Sequence, residues 1–158
     1  MRIGYLQLPH LPIQVALLRA PTLRGHPIVV GGDETRRGRV VDASPECLAT
    51  GVALGMTIRE ASEIFPSAAI LPANPIAVGD VLGRALDLLD RFSEAVEEVV
   101  GDGAWLVPAA PATSPGDVRR LGAAIVDGLA ATLGLEARIG FGPGKTIARI
   151  VAERATPG

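Results

Sequence analysis

The chain has 158 residues, 48% apolar and 20% charged, a length for one domain with room for a small inserted lobe and a composition that excludes overall disorder. No apolar run approaches the ~18–20 residues that a bilayer-spanning helix needs, which argues against a membrane protein. With 15 basic against 17 acidic residues the net charge of −2 makes no global positive field, so any nucleic-acid contact must come from a local patch.

The chain opens with IGYLQL, residues 3–8, an apolar run bounded by Pro9 that reads as a buried strand, followed by a proline-interrupted helical turn through Ile13 to Arg19. Residues 27–32 and 39–43, PIVVGG and RVVDA, are β-branched runs joined by the polar loop DETRRG, the pattern of a hairpin. Thr57 and Glu60 fit a capping box for a short helix ending before Pro66, so that residues 24–71 form a small α/β lobe.

Asn74-Pro75 is an N-cap and first-turn proline, and apolar residues recurring at 78, 81, 82, 85, 88, 89, 92 and 96 give one helix face. AVEEVV and AWLVPA flank Gly101-Asp102-Gly103 as a second hairpin, with Asp102-Gly103 expected at its tip in a turn of positive φ. Ser114, Pro115 and Asp117 start another helix with Val118, Leu121, Ile125 and Leu129 inward; LEARIGF supplies a last strand and GKTIARIVAER a last helix. With residues 24–71 set aside, residues 1–23 and 72–158 read β-α-β-β-α-β plus a terminal helix. This is the ferredoxin-like split pattern of an α+β fold.

Few residues carry chemistry. Strand, glycine-rich turn and Gly144-Lys145-Thr146 make an anion contact possible at the chain's one lysine, but the glycine that a nucleotide-hydrolysing loop requires five residues before Gly144 is Ile139. Asp102 is a carboxylate at a turn, equally explained by the turn itself. Metal-assisted phosphoryl transfer needs converging carboxylates, whereas the first strand offers Gln7 and Pro9, so no metal is expected. Glu94, Glu97 and Glu98 read as solvated, and Arg36, Arg37 and Arg39 as a solvated hairpin tip able to touch phosphate. His10 and His26 have no ligand partners nearby in sequence. Cys47 reads as buried rather than nucleophilic; a single cysteine excludes an internal disulfide, and MRIGYLQLPH lacks a secretory pattern, which points to the cytoplasm. Five aromatic residues are too few for a stacking platform on single strands.

These elements resemble the palm and fingers of Y-family translesion DNA polymerases, the UmuC and DinB group, over nearly the whole chain. PIVVGGDETRRGRVVDASPECLATGVALGMTIREASEIFP at 27–66 is similar to the family's fingers, GDGAWL at 101–106 to its acidic palm hairpin, and GFGPGKTIARIVAERATP at 140–157 to the helix bearing a triphosphate-contacting lysine, here Lys145. The resemblance implies that the family's first metal-binding aspartate falls on Gln7 and a second acidic position on Pro9, and that the ribose-selecting aromatic pair falls on Leu11 and Pro12. It further implies that the tyrosine and arginine gripping the triphosphate fall on Pro45 and Leu48, and that Gly103 replaces the glutamate beside Asp102. Only Asp102 and a vestigial Lys145 match.

The resemblance is closest to the non-catalytic ImuB branch. It implies an adaptor in damage-induced mutagenesis beside a polymerase subunit, an ImuA-like protein and the sliding clamp, with weak DNA binding and no cofactor, magnesium being expected only of an active enzyme. Two alternatives stay open: a divergent active nucleotidyltransferase, and a small protein- or anion-binding ferredoxin-like domain without polymerase function.

Overall fold

The computed structural model describes residues 1–33 and 35–156. In chain order its elements are β1 (Ile3–Gln7), α1 (Leu11–Arg19), a 3-10 turn (Pro21–Leu23), β2 (Ile28–Gly31), β3 (Val40–Ala43), α2 (Pro45–Ala49), α3 (Ile58–Ile64), β4 (Ala69–Leu71), α4 (Pro75–Leu89), β5 (Ser93–Val99), β6 (Gly103–Pro108), α5 (Pro115–Leu133), β7 (Arg138–Gly142) and α6 (Lys145–Arg154). They form two compact units, Met1–Pro9 with Asp80–Gly158, and His10–Gly79.

The first unit is built on a four-stranded antiparallel sheet of order β5-β6-β1-β7, the strand order of the ferredoxin-like pattern expected from the sequence. Register fixes what each face carries. Glu97, Trp105, Tyr5 and Gly140 lie side by side across the four strands, and Val99, Gly103, Gln7 and Arg138 form the next row. Helix α6 covers the β1 and β7 end of this face, with Ala148 and Ala152 packed on Tyr5. Gly140 permits the approach, because a Cβ there would strike the α6 backbone at Ala148 and Ala152. The opposite face is covered by α5, whose Gly122 lies against Ile139 and Phe141 and whose Gly128 lies against Leu88 of α4. Leu6, Leu106, Ile125 and Leu129 are buried on that side, each worth about 1.5–3 kcal/mol against exposure.

Local chemistry sets the helix starts. Asn74 accepts from the Ala77 N–H at 3.0 Å ahead of Pro75, and Ser114 and Asp117 form a capping box at α5, with the Asp117 N–H to Ser114 Oγ at 3.1 Å and the Ser114 N–H to Asp117 Oδ2 at 3.0 Å. Helix α5 stops at Gly134, whose φ of 68° supplies the left-handed residue that ends many helices.

The β5–β6 hairpin differs from expectation in its turn. The positive φ, 75°, belongs to Gly101, with the Asp102 N–H closing the turn onto the Val99 carbonyl at 3.0 Å. Asp102 therefore lies past the tip, its carbonyl accepting from the Leu8 N–H at 2.8 Å, and Gly103 opens β6. Gly103 is fixed by crowding rather than by φ, since a Cβ there would collide with the Leu6 carbonyl oxygen of the neighbouring strand.

The second unit carries a three-stranded sheet of order β3-β2-β4, in which β2 and β3 form the expected hairpin and β4 adds in parallel to β2. Val29, Val40, Ala43, Cys47, Val52, Ile58 and Ala61 make its core, so Cys47 is buried as expected. Thr57 and Glu60 form the expected capping box at α3. Whereas the sequence reading starts the lobe near Arg24, this unit starts at His10, because α1 belongs to it: Ile13 packs with Ile28 and Val30. Asp42 on β3 is 6% exposed and reaches α1 as well, with Oδ1 2.8 Å from His10 Nδ1 and Oδ2 accepting from the Ile13 N–H at 3.4 Å. His10 is thus paired through the tertiary fold with a residue 32 positions away. No helix among the described residues is long and apolar enough to cross a membrane.

Candidate functional site

The α6 face of the four-stranded sheet gathers most of the first unit's polar chemistry. Tyr5 is wholly buried and donates its hydroxyl to Asp102 Oδ2. Gln7, two residues on and therefore on the same face, donates from Nε2 to Asp102 Oδ1 at 3.3 Å. From α6, Arg149 Nη2 reaches Asp102 Oδ2 at 3.2 Å while its Nε holds Glu153 at 2.9 Å. One carboxylate thus accepts from three side chains on two elements.

Aromatic rings support the cations. Tyr5 and Trp105 are stacked with centroids 4.3 Å apart and planes inclined by 39°. The Arg149 guanidinium lies 5.4 Å from the Tyr5 ring centre and Lys145 Nζ lies 5.5 Å from that of Trp105, both within cation–π reach. Lys145, expected as an exposed anion contact, instead pairs at 2.7 Å with Glu97 on β5, a residue whose sequence context suggests only solvation. Both partners are about half-exposed or more, so the pair contributes at most about 1 kcal/mol, but it occupies the ammonium.

The electrostatics follow from this packing. Burial, then the hydrogen bond and charge of Asp102, push the Tyr5 hydroxyl well above the ordinary phenol range, against a smaller opposing effect of Arg149. Glu153 and the neighbouring acidic groups raise Arg149 further still, so its charge is permanent.

The remaining candidates lie elsewhere. Pro45 is the first residue of α2, where Ser44 is the N-cap, and Leu48 on the same helix is 38% exposed; neither side chain offers a hydrogen-bond donor. Leu11 and Pro12 begin α1. Arg36, with φ 60°, and Arg37 are exposed in the hairpin loop, but Arg39 is tied back, its Nη1 donating to the Gly55 carbonyl at 2.7 Å. The sequence reading missed Arg149, which carries no motif; its one signal is spacing, four residues past Lys145 on the same helix.

The model of the impB/mucB/samB family matches residues 7–153. The chain belongs to the impB/mucB/samB family. The family chain is 37% identical over 146 residues to DNA polymerase IV 2 of Mycobacterium bovis, covering 90% of this chain and 42% of that protein. It is 28% identical over 156 residues to DNA polymerase IV of Dehalococcoides mccartyi, covering 99% and 40%. Its fold matches a Y-family DNA polymerase chimera with a TM-score of 0.89 at 24% identity, covering 99% of this chain and 47% of that one. The impB/mucB/samB chain is therefore a domain related to DNA polymerase IV, with the α+β fold of the Y-family polymerase structure, and it spans less than half the length of the relatives it matches.

The paired cations implied by the family do not fit the residues present. Two-metal chemistry needs convergent carboxylates. Here Asp102 stands with the amide of Gln7 and with Gly103, where the Leu6 carbonyl leaves no room for a side chain, and its oxygens are already claimed by Tyr5, Gln7 and Arg149. Among the described residues no three His, Cys, Asp or Glu side chains group to hold a metal ion.

Proposed function

We propose that this impB/mucB/samB chain is a catalytically inactive palm-and-fingers module, of the ImuB type, that acts as an adaptor in translesion synthesis and DNA repair within the cell. The observation that carries the reading is the state of Asp102, a single carboxylate neutralised by Arg149 where phosphoryl transfer would require a cluster of them. Pro45 and Leu48 add to it, offering nothing to grip a triphosphate. Residues 1–23 and 72–158 correspond in this reading to the palm and 24–71 to the fingers. Its partners are primed DNA, held weakly through Arg36, Arg37 and Arg39, and proteins: a polymerase subunit, an ImuA-like protein and the sliding clamp. Primer extension with Mg²⁺ or Mn²⁺ tests the reading; we expect none, and extension abolished by Asp102→Ala would overturn it.

The names of the relatives favour a second reading. Proteins called DNA polymerase IV match nearly all of this chain, and a divergent active nucleotidyltransferase would give the same matches. The same extension assay separates the two.

A further inference from the structure

We propose that the Arg149 guanidinium is the resident counter-ion of Asp102 and keeps divalent cations off this end of the sheet. The inference deepens the inactive reading and rests on it.

Arg149 is held from three directions, by Glu153 one turn along α6, by the Tyr5 ring beneath it and by Asp102 across the sheet, and so it is positioned before any ligand arrives. A divalent cation approaching Asp102 would have to displace it, and would then have to bear the repulsion of the guanidinium still tethered by Glu153. Lys145 is equally anchored, between Glu97 and the Trp105 ring. Tyr5 and Gln7 take further lone pairs of the Asp102 carboxylate, which has about four acceptor sites in all. Removing the guanidinium changes the balance. Gln7 Oε1 is buried without a hydrogen-bond partner while Nε2 faces Asp102, so a half-turn of the amide would set that oxygen beside the carboxylate, giving hard oxygen ligands of the kind that Mn²⁺ and Mg²⁺ prefer.

Trp105, the chain's one tryptophan, reports on the site because it stacks on the tyrosine that is bonded to Asp102, and bound paramagnetic Mn²⁺ quenches nearby indole fluorescence. In the unaltered chain we expect no saturable quenching up to about 10 mM MnCl₂. Arg149→Met should gain saturable quenching with a dissociation constant on the order of 1 mM, as befits a site of few charged ligands, reversed by MgCl₂ and lost again in Arg149→Met/Asp102→Asn. Arg149 is 47% exposed and tolerates replacement, and Arg149→Gln, which keeps a polar head without the charge, should behave alike if Arg149→Met folds poorly by circular dichroism. Saturable quenching of the unaltered chain that Asp102→Asn removes would overturn the inference, as would folded Arg149 variants no more sensitive to Mn²⁺ than the parent. Failure of those variants leaves the inactive reading standing, whereas primer extension by the unaltered chain removes that reading whatever they do.

Discussion

Tyr5 and Trp105, the chain's only tyrosine and only tryptophan, stack 4.3 Å apart on neighbouring strands, and between them they touch two of the three cations of α6, Lys145 and Arg149. Each ring is a spectroscopic probe of one position, so the site can be read without labels.

The first prediction concerns alkaline pH. The Tyr5 pKa is raised in the folded protein by burial and by Asp102, while an unfolded tyrosine titrates at about 10. The stabilisation from keeping the hydroxyl protonated is therefore complete below about pH 10 and lost as pH rises beyond it towards the folded value. Tyrosinate absorbance should appear only together with unfolding. Tyr5→Phe should cost about 1.5–3 kcal/mol at neutral pH, the range of a hydrogen bond to a charged group, and should abolish the absorbance altogether.

Restoring carboxylates should damage the fold rather than repair a metal site. Any side chain at position 103 meets the Leu6 carbonyl, so Gly103→Ala should destabilise by about 3 kcal/mol, read from the urea midpoint. Gln7→Asp with Gly103→Glu should unfold more readily still and show no primer extension. An Ala variant as stable as the parent would mean that β1 and β6 separate more easily than their register implies.

Helix capping predicts the acid side. Ser114 holds the Asp117 carboxyl below its usual pKa through its hydroxyl and its N–H, and Thr57 does the same for Glu60, with the backbone bond foremost there. Depressed carboxylate pKa values give stability that is present above about pH 4 and lost as pH falls through the folded values. Ser114→Ala should cost about 1 kcal/mol at pH 7 and flatten the pH dependence of stability below about pH 4.

Binding to primed DNA should be weak and steeply salt-dependent, given a net charge of −2 and cations of α6 already paired with Glu97 and Asp102. Neutralising Arg36 and Arg37 should lower the slope of log K against log salt by roughly one for each phosphate that the protein ceases to neutralise. Arg39, bonded to the Gly55 carbonyl, should contribute less to the slope and more to the hairpin's stability.

The elements were legible because their causes are local. Asn74-Pro75, Ser114 with Asp117 and Thr57 with Glu60 are helix starts within four residues of sequence, and the first hairpin shows as two β-branched runs either side of a polar loop. The short parallel strand Ala69–Leu71 escaped notice because three apolar residues carry no period, and its pairing with Ile28–Val30 is a distant one. The sequence by itself also determined which carboxylates are absent, since Gln7 and Gly103 cannot supply them in any fold. Only the tertiary structure decided what became of the charges that remain. Arg149 and Asp102 are 47 residues apart, Lys145 and Glu97 are 48 apart, and His10 and Asp42 are 32 apart. Such pairs leave no mark on composition or periodicity, because a Coulomb interaction depends on distance in space, which strand register and helix packing set together.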